Sequence, residues 1–255
     1  MSLVLQTIDG AIGTITMNRA DKRNALSSEL VAELHSAFVT MGLREDVKVI
    51  VLRGSGPAFC AGADLAYLQK ISENSPLENL ADSTSLKEMF QAVVDCPKPV
   101  IAMVHGAAIA GGCGLATVCD LVVAGRDKAL FGYSEVRIGF IPAIVLVYLV
   151  RKIGDTQTRR LVLTAENIMA EEALRLGLIT QVVDDADLED ETMRIAGTIA
   201  KNSSSAMTMS KMMLGAVQGM SLDAGLHYAT VMNALARQTD DCKAGIASFL
   251  NLTKG

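Results

Sequence analysis

With 255 residues, half of them apolar, the chain is long enough to bury one large core, or a core with a smaller appendage. Its formal net charge of −5 and the lack of any Lys/Arg block argue against a nucleic-acid-binding surface. Five cysteines, an odd number without a Cys-x-x-Cys pair, fit a reducing compartment better than a disulfide framework. The start has no signal-peptide pattern and no apolar run reaches membrane-spanning length, so the expected setting is cytoplasmic and away from membranes.

In chain order, residues 12–17 are β-rich. Residues 27–43 place Leu30, Val31, Leu34, Ala37, Phe38 and Met41 on one helical face behind Ser27, a suitable N-cap. Residues 47–52 form a β-branched run suited to a strand buried on both faces. The turn Gly54-Ser55-Gly56-Pro57 then delivers Phe59-Cys60-Ala61-Gly62-Ala63. Residues 69–86, rich in Ser, Asn, Glu and Asp, read as a mobile surface segment flanking a site or as a plain linker. Residues 100–104 are a buried strand entering the small-residue cluster His105-Gly106-Ala107-Ala108-Ile109-Ala110-Gly111-Gly112-Cys113-Gly114-Leu115. Strands follow at 121–124 and 129–132, helices at 144–153, 157–164 and 170–176, and a last strand at 179–183. After residue 190 only helices are expected, with a soft boundary near 195.

Several chemistries lack their motifs. There is no Gly-x-Gly-x-x-Gly fingerprint, no Walker loop and no Gly-x-Ser-x-Gly elbow. His35, His105 and His227 stand far apart, and Cys113 and Cys119 have no partner at metal-ligand spacing. The glycine cluster admits two readings: close strand–helix packing, or a helix start whose free N–H groups stabilise an anion. Glu135, amid apolar residues, is either paired with Arg137 at the surface or partly buried, and burial would raise its pKa towards acid–base use.

Three patches in order, Asn18-Arg19-Ala20-Asp21-Lys22-Arg23-Asn24-Ala25-Leu26, Phe59-Cys60-Ala61-Gly62-Ala63-Asp64-Leu65 and Gly106 to Leu115, resemble the crotonase superfamily, the enoyl-CoA hydratase/isomerase family. The resemblance spans nearly the whole chain. It implies an α/β fold with a crotonase-like ββα spiral core over residues 1–195 and a helical oligomerisation region over residues 196–255, assembling as a homotrimer or a dimer of trimers. By the same resemblance, the N–H groups of Ala63 and Gly111 bind a thioester oxygen and Glu135 is the acid–base. Lys22, Arg23, Ala25, Ala61, Gly62, Asp64, Leu65 and Phe249 contact an acyl-CoA. Coenzyme A enters as part of the substrate, with no separate cofactor or metal.

Hydratase members use two glutamates, and the position of the first is Gly114 here. A lone glutamate suffices to move a double bond, so the resemblance points to Δ3–Δ2 enoyl-CoA isomerisation or to weak, short-chain hydration. Hydration stays open in two ways, with a carboxylate such as Glu73 or Glu78 filling the gap or with Glu135 handling the water alone, and Gly114→Glu is expected to raise hydration where geometry permits. The alternative is a non-catalytic or weakly catalytic CoA- or RNA-binding member.

Overall fold

The computed structural model describes residues 2–252. Its elements begin with β1 (Val4–Asp9), β2 (Ile12–Met17), α1 (Ser28–Gly42), β3 (Val49–Gly54), β4 (Ala58–Cys60), α2 (Leu65–Glu73) and α3 (Pro76–Val94). There follow β5 (Val100–Val104), β6 (Ala107–Ile109), α4 (Gly111–Val118), β7 (Leu121–Gly125), β8 (Leu130–Gly132) and α5 (Ala143–Thr164). The chain ends through β9 (Asn167–Met169), α6 (Ala170–Arg175), β10 (Gln181–Val183), α7 (Leu188–Ala200), α8 (Ser204–Val217), α9 (Leu222–Ala236) and α10 (Asp240–Leu252).

A repeating ββα path builds two sheets. Successive pairs β3–β4, β5–β6 and β7–β8 each give one strand to a larger sheet and the next to a smaller one before a helix returns the chain. The larger sheet has the order β1-β2-β3-β5-β7-β10 and the smaller β4-β6-β8-β9. All pairings are parallel except β1 with β2 and β8 with β9. Helical returns of this kind cover both faces of the large sheet, which explains its apolar strands. Ile50, Leu52, Val100, Ala102 and Val104 join the main core, whereas Val49, Val51, Ile101 and Met103 face Leu188 and Ala196 of α7.

Local chemistry sets the helix ends. The Ser27 side chain caps α1 by accepting from the Leu30 N–H, and the six apolar residues on the predicted face are all buried. Residues 69–86 are helical rather than a loop. Ser75 and Glu78 form a reciprocal capping box, Pro76 occupies the first turn of α3, and the Tyr67 hydroxyl donates to Asp82 across the α2–α3 corner. Only Met89, Phe90 and Val93 of α3 are buried, so its polar first half carries no apolar stripe. Gly154, with φ 77° and ψ 168°, breaks α5 between the two helices the sequence predicts.

The boundary placed at 195 falls inside α7, which runs unbroken from Leu188 to Ala200 and packs on the large sheet. The sheet-bound unit therefore extends through Ala200, and α8, α9 and α10 follow it, with α8 packed against both α9 and α10. Among the described residues no helix is long and apolar enough to cross a membrane.

The smaller sheet depends on close backbone approach. A Cβ at Gly112 would lie 2.8 Å from both the carbonyl carbon and the Cβ of Cys60, so α4 reaches β4 only because residue 112 has no side chain. Gly112→Ala is therefore expected to lower stability by about 1–3 kcal/mol through overpacking. Thermal denaturation checks this, and an unchanged midpoint would contradict the packing described.

Candidate active site

Parallel pairing of β4, β6 and β8 brings three chain segments to one edge, because strands that run the same way end on the same side. Cys60 leads into Ala61–Asp64, Ile109 into Ala110 and Gly111, and Gly132 into a 3-10 turn that opens with Glu135. The predicted residues Ala63, Gly111 and Glu135 thus follow neighbouring strand ends.

The first two turns touch. Gly62 has φ 91°, and a Cβ there would sit 3.0 Å from the Ile109 carbonyl oxygen and 3.1 Å from the Ala110 Cβ. Leu26 bridges to Ala63 as an extra strand position: its N–H donates to Gly62 O at 2.7 Å, and its carbonyl accepts from the Asp64 N–H at 3.0 Å. That pattern skips the Ala63 N–H. Gly111 is the first residue of α4, so its N–H has no acceptor within the helix. Among the described residues, neither N–H donates to a protein acceptor. The dipole of α4 favours negative charge at its start.

Ala110 fixes the direction of that start. It holds φ 51° and ψ −124°, a conformation costly for a residue with a Cβ. Its N–H donates to Gly132 O at 2.7 Å while its carbonyl accepts from the Gly114 N–H at 3.0 Å. A second tie lies deeper. The Thr117 hydroxyl donates to Cys113 O at 2.8 Å, which makes the Tyr133 hydroxyl, 2.7 Å away, the donor in their pair. The exit of β8 and the body of α4 are thereby held together.

Lys22, Ala25, Ala61, Ala63, Asp64, Ala66 and Gln69 line a cavity of about 580 Å³. Five of the predicted residues, Lys22, Ala25, Ala61, Ala63 and Asp64, thus share one space. Lys22 is exposed and brings a cation to this cavity. Arg23 contributes its backbone: it has φ 51°, and its carbonyl accepts from the Ala61 N–H at 3.0 Å. Asp64 is committed twice, accepting from the Ala66 N–H as the cap of α2 and pairing with Arg19 at 2.7 Å. Burial opposes its ionisation, but these partners outweigh it and hold its carboxyl below the ordinary range. Leu65 opens α2, and its side chain lies outside the described residues. Phe249 is exposed on α10, which packs on α8, so a single chain does not bring it to the cavity.

Asn24 is a supporting residue whose part the motif alone does not disclose. Fully buried, with φ 54°, it accepts from the Arg19 N–H and donates to the carbonyls of Ser55 and Ala58 at 2.8 and 2.9 Å. It clamps the Lys22 loop onto the strand that feeds the first turn. Asn tolerates the left-handed region better than most residues, which is the sequence signal for such a post.

Glu135 is buried, and Arg137 does not pair with it; the Arg137 guanidinium donates instead to the Ala165 carbonyl. Among the described residues Glu135 Oε2 has no hydrogen-bond partner. Burial raises its pKa, offset only in part by its own backbone N–H. Nearby, the Cys113 thiol is pushed up to about 12, chiefly by burial, and stays neutral.

Among the described residues, the atoms nearest a Cβ built at Gly114 belong to apolar side chains rather than to a carboxylate. A Cβ added there would overlap the Val145 Cγ1, lie 2.9 Å from the Val145 Cβ and come 3.4 Å from Phe90 Cζ. Gly114→Glu therefore requires Val145 to move, so the geometric condition attached to a gain in hydration is not met by the structure as it stands. Glu78 is held in its capping box twelve residues, or about 18 Å of helix, before Phe90, and Glu73 is exposed at the end of α2. Neither fills the place. Val145 and Phe90 were not legible as site residues, because their contact joins three separate helices.

A family model for enoyl-CoA hydratase/isomerase matches residues 7–254. The chain is 39% identical over 246 residues to a Thermus thermophilus protein provisionally named enoyl-CoA hydratase, covering 96% of this chain and 97% of that one. It is 30% identical over 248 residues to the short-chain-enoyl-CoA hydratase of Clostridium acetobutylicum, covering 96% and 94%. The solved enoyl-CoA hydratase of Mycobacterium smegmatis superposes with a TM-score of 0.92 at 33% identity, covering 98% of this chain and 96% of that one. The α/β architecture and the helical C-terminal region are shared with that structure.

Because the folded-state pKa of Glu135 lies above its ordinary 4.5, the folded chain holds that proton more tightly than the unfolded one. Its contribution to stability is full below pH 4.5 and is lost as pH rises through the raised value. Glu135→Gln should therefore raise the thermal midpoint at pH 8, with the advantage shrinking as the pH falls. A difference that does not vary with pH would contradict the buried carboxylate.

Proposed function

The chain belongs to the enoyl-CoA hydratase/isomerase family, and from that membership we propose that it acts on enoyl-CoA thioesters as a single-carboxylate proton shuttle, moving a double bond from the 3 to the 2 position in preference to adding water. The carrying observation is the solitary, buried Glu135 with an apolar wall where a second carboxylate would stand.

The thioester oxygen lies between the N–H groups of Ala63 and Gly111. Glu135 takes a proton from C2, the C2–H electron pair enters the conjugated system, and negative charge collects on that oxygen. Each preorganised amide contributes about 3–4 kcal/mol to the barrier reduction. Glu135 then gives its proton to C4, and the double bond closes between C2 and C3. No water or second base is consumed. A carboxylate whose pKa is raised by burial is a stronger base towards carbon than an exposed one, and it returns to its starting state after each turnover. Hydration asks for more, since one carboxylate orients water while another exchanges the proton with carbon.

The cavity beside Lys22 accommodates part of the coenzyme, with Lys22 facing its phosphates. Leu214, Leu222, Leu226, Leu235, Ile246 and Phe249 are exposed on α8, α9 and α10, an apolar excess that supports a homotrimer or a dimer of trimers in which Phe249 approaches a neighbour's ligand.

Wild type should turn over 3-enoyl-CoA at least about 10-fold more efficiently than it hydrates 2-enoyl-CoA, and Glu135→Gln should cut isomerisation by about 10²–10⁴ in kcat. The acid limb of kcat/KM should fall above the ordinary carboxylate range near 4.5, because the base must be ionised and burial delays its ionisation. Faster hydration than isomerisation, or an active Gln variant, would contradict the reading. Light scattering should give three or six times the chain mass, and a monomer would contradict the assembly.

A further inference from the structure

We propose that Val145 is a specificity-determining residue: its side chain, set against Gly114 and Phe90, fills the space a second carboxylate and its water would need. This rests on the single-carboxylate reading and names what enforces it.

Gly114 lies in the first turn of α4, fully buried, and Val145 lies in the first turn of α5, 4% exposed. Phe90, fully buried on α3, closes the third side. The three residues come from three helices, so the contact is set by how α3, α4 and α5 pack. α5 starts directly after the 3-10 turn and loop that begin with Glu135, and it packs on that turn. The apolar wall and the acid–base are therefore parts of one rigid corner. Val145 presents no polar atom beyond its backbone, and Phe90 presents a ring edge. Neither of these two side chains offers a water any of the two to four polar partners that a buried water needs. A side chain added at 114 meets Val145 at its first carbon, so the identity of residue 145 matters as much as that of residue 114.

The geometry also fixes which change would open the space. Val145→Ala removes the overlapping Cγ1 but leaves the Cβ 2.9 Å from a residue-114 Cβ, still too close. Val145→Gly removes both of these atoms, and the next nearest, Phe90 Cζ, lies 3.4 Å away, an ordinary contact. Of the two changes, only the glycine removes both close contacts of a residue-114 Cβ.

Four proteins test this: wild type, Gly114→Glu, Val145→Gly, and the double variant, each assayed for thermal midpoint, 2-enoyl-CoA hydration and 3-enoyl-CoA isomerisation. Gly114→Glu alone should lose thermal stability and gain no hydration. The double variant should recover most of that stability and hydrate at least about 10-fold faster than wild type. In parallel, Val145→Gly is titrated with formate, a small carboxylate able to enter the opened space. Its hydration should rise saturably while wild type stays flat, which keeps the test decisive if the glutamate variants fold poorly. The proposal is overturned if Gly114→Glu alone matches the double variant, if the recovered double variant hydrates no faster than wild type, or if formate leaves Val145→Gly unchanged. Failure of the isomerase reading looks different: wild type would hydrate faster than it isomerises, whatever the coupling between positions 114 and 145.

Discussion

Two backbone turns, Ala61–Asp64 and Ala110–Gly112, meet with almost no side chain between them, and the geometry of the site follows from that approach. Gly112 lies on Cys60, and Gly62 on Ile109 and Ala110. Neither contact survives a Cβ without movement of the backbone. Where the two main chains come this close, and among the described residues, the N–H groups of Ala63 and Gly111 stay outside every strand and helix ladder. The parallel pairing of β4, β6 and β8 then adds Glu135 at the third strand end. Asn24, Leu26 and Arg19 act from below, tying the Lys22 loop to the same edge.

That arrangement works against local stability in at least two places. Ala110 occupies a left-handed backbone region without the freedom of glycine, and Glu135 keeps an unpartnered carboxylate oxygen in a buried setting. Both are sustained by a large sheet covered on each face, where α7 lies on one side and the main core on the other. The chemistry gains from the same features, since a fixed amide stabilises developing charge without reorganising, and a desolvated carboxylate accepts a proton from carbon more readily. Val145 extends the pattern by making the remaining wall of the corner dry.

Much of the fold was legible because it rests on period and composition. Residues 12–17 and 100–104 coincide with β2 and β5, and the apolar face of α1 was visible in full with its Ser27 cap. Residues 69–86 misled because the first half of α3 buries nothing, so its helical period has no apolar partner to reveal it. Ser75-Pro76-Leu77-Glu78 still carried the capping signal. The family motifs brought Lys22, Ala25, Ala61, Ala63 and Asp64 to one cavity, but the carboxylate of Asp64 turned out to cap a helix and pair with Arg19. The wall at Gly114 was hidden for a plain reason: glycine records an absence, while the atom that fills the space belongs to Val145, thirty-one positions later. Local pattern does not encode that contact.

In the proposed reaction one carboxylate carries a proton from one carbon of the substrate to another. Turning over 3-enoyl-CoA deuterated at C2, in ordinary water, and locating the label in the product by NMR tests it most directly. The account predicts that a substantial share of the deuterium appears at C4 of the 2-enoyl product. Complete loss of the label to solvent, or a 3-hydroxyacyl product in place of the 2-enoyl one, would contradict it.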